Sequence, residues 1–423
     1  MRHLTLDNRL RVVLDARAVA PVIGVAVHYG IGFRGEPVGR SGFAHLFEHL
    51  MFQGSAQVAQ GEHFSHVQAS GGTAGGSTHQ DYTDFYQVAP APALDRLLFL
   101  ESDRMAGLRL TEDNLNTQLR VVREEILTNV THRPYGGFPW TVLPGVLYES
   151  FANGHNGYGD LRDLERATTQ ECAAFHEAYY APSNAVLTVC GGFDADRTAD
   201  LVQRYFGRIP GRSTAPLPEL GEPVPDTDRS GTHQDGHAPL PALALGHRMP
   251  DPDRELSAYL AHMVLSALLA GTDRSLLTRR LVTGARLATA VRSGCGFFGP
   301  LQARDPDTFQ LVITHPRDTA PDDLLAETDA VLRALAAHGP DPAQLAHTLA
   351  RLRTSTARGY DNLLVRTRHA GAFELLHGRA ALIDTLPALI GVVGADAVSA
   401  AAARLLSVPR AVLRLRTHEE ALV

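Results

Sequence analysis

The sequence predicts an α+β protein built from two related αβ halves. Two observations carry this prediction. Short strands and amphipathic helices alternate along the 423 residues, and the order of elements starts again after a proline-rich segment at 213–232. The chain is 44% hydrophobic and 20% charged, which is the composition of a globular protein with two or three domains.

The first half is predicted element by element. Its expected strands are two short ones within 4–15, a buried one at 22–29, one along 71–88 and one at 185–190. Its expected helices cover 41–52, 61–68, 94–105, 112–129, 171–180 and 196–206.

The second half is predicted more coarsely. Its clearest expected elements are a strand at 242–247, a long helix at 255–270 and a final strand at 410–416. The segment 213–232 has many prolines and no helical period, so we expect it to be a linker. We therefore predict an N-terminal domain at 1–212 and a related C-terminal domain at 233–423, joined by the linker.

Charge and cysteine content exclude several classes of protein. The net charge of −7 argues against a nucleic-acid partner and against an acidic membrane surface. The three cysteines are odd in number and form no C-x-x-C pair, which is typical of a reducing compartment. The first residues lack the apolar run of a signal peptide, so we expect a cytoplasmic protein.

The chemistry is predicted to centre on the segment 41–52, SGFAHLFEHLMF. A helix would bring His45, Glu48 and His49 to one face, because residues three and four apart are neighbours on a helix. The surrounding positions are apolar, so this helix should be buried. Two imidazoles and a carboxylate in a buried helix need a partner, and a divalent metal is one. The order His-x-x-Glu-His is the inverzincin signature, with Glu48 as the candidate general base.

The alternative is a purely structural helix. In that interpretation the two histidines are core residues that hydrogen-bond backbone carbonyls, and Glu48 caps a neighbouring element. A short motif needs its context before it can carry a function.

A third metal ligand is expected on the helix at 112–129, which contains Glu124 and Glu125. Successive helical residues lie about 100° apart, so only one of the two can face the apolar side. Glu125 lies three residues after Val122, on that side. Glu124 lies four residues after Arg120, where an ion pair on a solvated face is the simpler interpretation. We predict Glu125 as the ligand and keep Glu124 as the alternative.

The chain resembles the M16 peptidases, the group of pitrilysin, insulin-degrading enzyme and mitochondrial processing peptidase. The resemblance rests on HLFEH and a later helical glutamate, and it extends over most of the chain. Further matching runs are LDNRLRVV, the stretch from GGTAGG to DYTDFY, VVREEI and YYAPSNAVLTVCGGFD.

The resemblance implies two related αβ domains, each with a mixed or antiparallel sheet flanked by helices on one face. It also implies a zinc endopeptidase that acts within a dimeric chamber, with one zinc ion held by His45, His49 and Glu125. Substrate peptides are then expected to add as a strand along Gly75, Gly76 and Ser77. Family members often have a second glutamate where this chain has Gln118, which is expected to orient Glu125 or simply to pack.

One departure from the family bears on partners. Working subunits often hold the substrate with an Arg and a Tyr from the second domain, and the aligned residues here are Val282 and Thr289. We therefore predict a heterodimer in which a non-identical subunit supplies that pair, with a homodimer as the alternative. A non-catalytic subunit of an M16 complex is the alternative function. The sequence predicts no cleavage preference, and a peptide-maturing role is one variant of the endopeptidase interpretation.

Overall fold

The computed structural model describes residues 1–17, 20–223 and 225–417. The strands are β1 (Arg2–Thr5), β2 (Arg11–Ala16), β3 (Val22–Tyr29), β4 (Thr73–Thr78), β5 (Thr83–Pro90), β6 (Ala185–Gly191), β7 (Arg229–Asp235), β8 (Ala242–Arg248), β9 (Ala290–Cys295), β10 (Thr308–Thr314) and β11 (Ala411–Thr417). The helices are α1 (Phe43–Leu50), α2 (Glu62–Ala69), α3 (Leu94–Ala106), α4 (Glu112–Ile126), α5 (Leu143–Leu147), α6 (Phe151–Gly154), α7 (Leu161–Leu164), α8 (Thr169–Tyr179), α9 (Ala195–Phe206), α10 (Leu256–Leu269), α11 (Pro321–His338), α12 (Pro342–Asp361), α13 (Leu363–His377), α14 (Leu382–Gly391) and α15 (Ala395–Ser407).

The chain divides into two compact units, each assembled from three segments. The first contains Met1–Glu124, Gly157–Pro218 and Arg358–Thr385, and the second contains Glu125–Asn156, Glu219–Ala357 and Leu386–Val423. These units do not follow the predicted limits 1–212 and 233–423 residue by residue, and those limits stay a prediction. The end of the expected linker is a strand, since β7 begins at Arg229.

The sheet of the first unit is mixed. Its strand order is β1-β2-β6-β3-β5-β4. Strands β2 and β6 run parallel, whereas the other neighbours are antiparallel. Strand β3 lies in the middle and seven of its eight residues are buried. Strand β4 lies at an edge and is partly exposed.

The sheet of the second unit repeats this topology. Its order is β7-β11-β8-β10-β9, with β7 and β11 parallel and the other neighbours antiparallel. Taken in chain order, β7 to β11 correspond one by one to β2 to β6, including the position of the parallel pair. The predicted fold class, two related αβ domains, is therefore confirmed.

Helices cover both faces of the first sheet, where the prediction has them on one. A Cβ added at Gly76 would meet Glu48 of α1, whereas a Cβ at Gly75 would meet Tyr86. Neighbouring residues of a strand point to opposite faces. Arg368 of α13 lies over the Tyr86 ring, so α13 packs on the face opposite to α1. A Cβ at Gly371 would overlap the His28 ring, which explains how α13 approaches the sheet so closely.

The expected single strand at 71–88 is wrong, because this stretch is a hairpin of β4 and β5. The connection contains no Gly or Pro, so the usual turn signal is missing from the sequence. Instead the His79 N–H donates to the Tyr82 carbonyl at 2.8 Å, and the two rings stack.

The helix expected at 112–129 also differs at its end. Regular α-helix stops at Ile126, and Leu127–Thr131 continues as a π-helical turn. Within the described residues, no single helix has both the length and the apolar character needed to cross a membrane, although the bent pair of α14 and α15 satisfies those two criteria jointly.

Candidate metal centre

Helix α1 holds the predicted motif in a fixed orientation. Two N–H groups at its N-terminus are satisfied by Glu36, whose carboxylate accepts from the N–H of Gly42 at 2.8 Å and of Ala44 at 2.7 Å. A carboxylate at this end is favourable, because helix N-termini carry unpaired donors and partial positive charge. Six of the eight residues of α1 are buried, including His45. The apolar pattern of the sequence therefore anchors the helix, and the motif is presented on its polar edge.

Three of the predicted residues converge. His45, His49 and Glu125 each offer one ligand atom, and these atoms all lie within 4.8 Å of one another. The two imidazole rings are 5.0 Å apart and nearly perpendicular. Two imidazoles and one carboxylate form a donor set that suits zinc and leaves a fourth position open. The residues present thus fit the implied metal, whose binding stays a prediction.

Glu125 reaches this group from the end of α4. The division between the two compact units falls inside this helix, after Glu124, so Glu125 stays on a helix that belongs mostly to the first unit. Glu125 is half-buried and Glu124 is exposed, in keeping with the predicted helix phase. Helices often depart from regular α geometry at functional sites, and the π-helical turn begins two residues after Glu125.

Glu48 is held by the edge strand of the sheet. The Thr78 hydroxyl donates to Glu48 Oε2 at 2.8 Å. On the same face of β4, a Cβ at Gly76 would lie 2.9 Å from Glu48 Cγ, so only glycine leaves room for this side chain. Glu48 is therefore held in place on the helix that carries both histidines, and it is not one of the three converging groups.

The predicted substrate segment Gly75–Ser77 lies in the edge strand β4. Strand β4 pairs with β5, and no other strand of the described residues pairs with its second edge. An edge of this kind can accept a further strand through its backbone groups. Substrate binding by these residues stays a prediction.

The remaining predicted positions are less informative. Gln118 is buried, two helical turns before Glu125 on α4. Val282 lies in the π-helical turn Thr278–Gly284 of the second unit, and the Thr289 N–H donates to the Thr314 carbonyl. That Gln118 orients Glu125 stays a prediction. That Val282 and Thr289 stand where working subunits have Arg and Tyr also stays a prediction.

A buried ion pair below the site was not foreseen. Arg104 donates from one nitrogen to both Glu101 carboxylate oxygens, at 2.5 and 2.6 Å, and its guanidinium lies over the rings of Phe52 and Phe85. These two rings are also the other neighbours that a Cβ at Gly76 would meet. The sequence carried one signal, Glu101 and Arg104 three residues apart on a helix.

Two ring contacts complete the surroundings. The Tyr158 ring packs edge-on against His45 at 5.2 Å. His63, which packs against Phe52, is almost fully buried, and this burial lowers its pKa well below the usual range. His63 is therefore a neutral packing residue at pH 7.

Two family models match the sequence. Residues 11–134 match "Insulinase (Peptidase family M16)", and residues 166–352 match "Peptidase M16 inactive domain". All four motif residues, His45, Glu48, His49 and Glu125, lie within the first of these stretches.

Individual proteins agree with the family models. The chain is 31% identical to zinc protease PqqE of Helicobacter pylori over 55% of this chain and 53% of that protein. It is 24% identical to an uncharacterized zinc protease of Streptomyces coelicolor over 96% and 87% of the two chains. It spans about half the length of the first of these relatives. The crystal structure of a protease from Helicobacter pylori has the same fold, with a TM-score of 0.88, 24% identity and coverage of 98% and 99%.

Proposed function

The chain belongs to peptidase family M16, and on that premise we propose that it is a zinc-dependent endopeptidase with Glu48 as general base. The observation that carries the proposal is the convergence of His45, His49 and Glu125 within 4.8 Å of one another, with the motif carboxylate Glu48 on the same helix as the two histidines. The three groups come from two helices far apart in sequence. A structural helix with two core histidines has no need of a distant glutamate beside them.

The residues would divide the work as follows. His45, His49 and Glu125 hold the metal, and zinc, when bound, polarises the scissile carbonyl and lowers the pKa of water. Glu48 accepts the proton of the attacking water at its carboxylate and passes it to the leaving amine. The hydroxyl of Thr78 donates to Glu48 Oε2, so Oε1 is the oxygen available for the proton.

We further propose that substrates are peptides or unfolded segments that add to the edge of β4. Gly75 and Gly76 have no side chains to keep a second backbone away, and the strand is partly exposed. A peptide in this position runs beside Glu48, since Gly76 and Thr78 share that face with it.

The partner is part of the proposal. The chain would pair with a non-identical M16-like subunit that supplies the Arg and Tyr, because Val282 and Thr289 cannot hold a carbonyl as those residues do. A homodimer is the alternative, as symmetric pairs are the commonest oligomers. Size-exclusion chromatography and activity of the purified chain separate the two, since full activity without a second protein contradicts the heterodimer. We expect a cytoplasmic enzyme.

A non-catalytic subunit is the competing function, and the name of the second family model favours it. That model matches residues 166–352, which contain none of the four motif residues. The stretch that contains them matches the insulinase model instead. The complete motif therefore supports catalysis.

The decisive experiment measures zinc content and cleavage of a quenched peptide library by the wild type and by Glu48→Gln. We expect the variant to retain zinc and to lose activity by several orders of magnitude, because an amide cannot take the proton. Glu177→Gln, on an exposed face of α8, is the matched control and should cleave normally. Normal cleavage by Glu48→Gln would rule out its role as base, and absence of zinc from the wild type would rule out the metal centre.

A further inference from the structure

The edge strand β4 has a second face with chemistry of its own. Gly76 and Thr78 point towards Glu48, so Gly75 and Ser77 point to the opposite side of the sheet. In the β4–β5 register these two residues lie opposite Tyr86 and Asp84. A peptide strand added to β4 would alternate in the same way, with every second side chain on this reverse face.

Tyr86 reaches across the edge strand. A Cβ at Gly75 would lie 2.6 Å from Tyr86 Oη, so the phenol occupies the space that a side chain at Gly75 would take. The Tyr86 hydroxyl is thereby carried towards the unpaired edge of the sheet. Within the described residues it makes no hydrogen bond, and the side chain is only half-buried.

Arg368 lies on the same face of the sheet, and its guanidinium is held by Asp84. Its Nε donates to Asp84 Oδ2 at 2.6 Å and its Nη2 to Asp84 Oδ1 at 2.9 Å. Its guanidinium lies 4.4 Å from the centre of the Tyr86 ring. The second terminal nitrogen, Nη1, donates to no acceptor among the described residues, and the side chain is 26% exposed.

The surrounding groups add no positive charge. Asp84 is fully buried. Burial raises its pKa, but the charge and hydrogen bonds of Arg368, together with smaller contributions from the two histidines beside it, hold that pKa below the usual range. His28 and His79 each lie 3.7 Å from Asp84. Burial lowers the pKa of His28 to about 4 and that of His79 to about 3, so both are neutral at pH 7. The open donors are thus one guanidinium nitrogen and one phenol.

We propose that Tyr86 and Arg368 form a subsite for an acidic side chain of the substrate, with glutamate preferred over aspartate. This inference rests on the proposed function, in that it assumes a peptide strand along β4. The acidic residue would be the direct neighbour of the residue that faces Glu48.

Chemistry and reach both favour glutamate. A carboxylate accepts from Nη1 and from the Tyr86 hydroxyl in charge-assisted hydrogen bonds, which are about twice as strong as neutral ones. Asp84 already fixes the guanidinium plane, so little further order is lost on binding. Arg368 lies over the ring of Tyr86, which belongs to β5, the second strand from the edge. A side chain of a peptide added to β4 must reach across β4 to contact it, so the longer acidic side chain is required.

The test uses quenched peptides of one common sequence in which a single residue is Glu, Asp or Gln. That residue is moved along the peptide from one set to the next, and cleavage sites are mapped by mass spectrometry. We expect kcat/KM about tenfold higher for Glu than for Gln, as one hydrogen bond to a charged group provides. The preference for Glu should occur at every second position of the peptide and vanish at the positions between them, because successive side chains of a strand point to opposite faces. It should also weaken at high salt.

Variants separate the subsite from general damage. Tyr86→Phe keeps the ring and removes the hydroxyl, and should reduce the Glu/Gln ratio severalfold. Arg368→Lys keeps the charge opposite buried Asp84 and should reduce it further. Tyr205→Phe, which removes a hydroxyl bonded to Asp95 on α3, should leave the ratio unchanged.

A binding assay makes the two proposals distinguishable. Fluorescence anisotropy with the same peptides on the Glu48→Gln chain reads the subsite without hydrolysis. If the peptides are cleaved and the ratio of kcat/KM for Glu to that for Gln is near one, the subsite proposal is wrong and the peptidase proposal is retained. Absence of any cleavage, together with tighter binding of the Glu peptides, overturns the peptidase and retains the subsite, whereas equal binding overturns the subsite as well.

Discussion

Thr78 donates its hydroxyl to Glu48 Oε2 at 2.8 Å, from the edge strand of the sheet to the helix that carries the metal motif. The bond fixes one carboxylate oxygen and leaves the other available. The orientation of the proposed base is therefore set by the same strand that is proposed to hold the substrate.

Thr78→Val should lower kcat with little change in zinc content. The substitution preserves shape and removes a hydrogen bond to a charged group, which typically corresponds to a loss of about tenfold or more. Thr78→Ser retains a hydroxyl and is the matched control. Steady-state kinetics with metal analysis checks the outcome, and an unchanged kcat in Thr78→Val would show that Glu48 needs no such support.

Glu125→Gln should release the metal, whereas Glu124→Gln should not. Glu125 contributes to the group within 4.8 Å and Glu124 is exposed one position earlier on the same helix. Groups that merely support a ligand change metal affinity by about 10–100-fold when they are removed. Removal of a direct ligand should lower the affinity by more than that. Zinc titration against a competing chelator measures both variants. Equal affinities in the two would remove Glu125 from the ligand set.

Gly76→Ala should impair catalysis more than folding. The added Cβ would lie 2.9 Å from Glu48 Cγ and 3.3 Å from Phe85 Cδ1, so the Glu48 stem must shift. We expect kcat to fall at least about tenfold, because a misplaced general base loses most of its contribution. Gly107→Ala is the control, since its site is open and its backbone is extended. Thermal denaturation run alongside the kinetics separates the two effects.

The protein should lose stability as the pH falls below neutrality. His28 and His247 are fully buried, one in each unit, and burial lowers their pKa values to about 4 and about 3. An unfolded imidazole titrates near 6.5, so below that pH the unfolded chain binds protons that the folded chain does not. The contribution of these histidines to the free energy of unfolding is fully present above the unfolded pKa. It decreases as the pH falls below that value, until the folded pKa is reached.

The expected slope is about 1.4 kcal/mol per pH unit for each such histidine. Urea denaturation at pH 7.5 and 5.0, with a chelator present so that metal loss plays no part, gives the difference. His247→Leu should reduce the slope for the second unit. A slope that is unchanged in this variant would mean that His247 is not buried in neutral form.

The local features of the site could be predicted from the sequence because they depend on helical spacing. His45, Glu48 and His49 follow from positions three and four apart, and Glu125 follows from the phase of its helix. The duplicated topology followed from the repeated order of elements. Each of these depends on neighbours within one element or on the order of successive elements.

The rest depends on contacts that no local pattern carries. Asp84 and Arg368 are 284 positions apart, and Thr78 and Glu48 are 30 apart. The hairpin connection between β4 and β5 lacks the glycine or proline that marks most turns. The π-helical turn after Ile126 likewise follows from no local pattern in the sequence.

Helix α13 has a consequence for how the protein is made. It covers one face of the first sheet, yet it is encoded at Leu363–His377, far beyond the proposed metal ligands. A fragment that stops in the proline-rich segment would leave His28 and its neighbours facing water. During synthesis, the first unit can close only after nearly the whole polypeptide has left the ribosome, so the nascent chain carries its finished motif long before it has a finished fold.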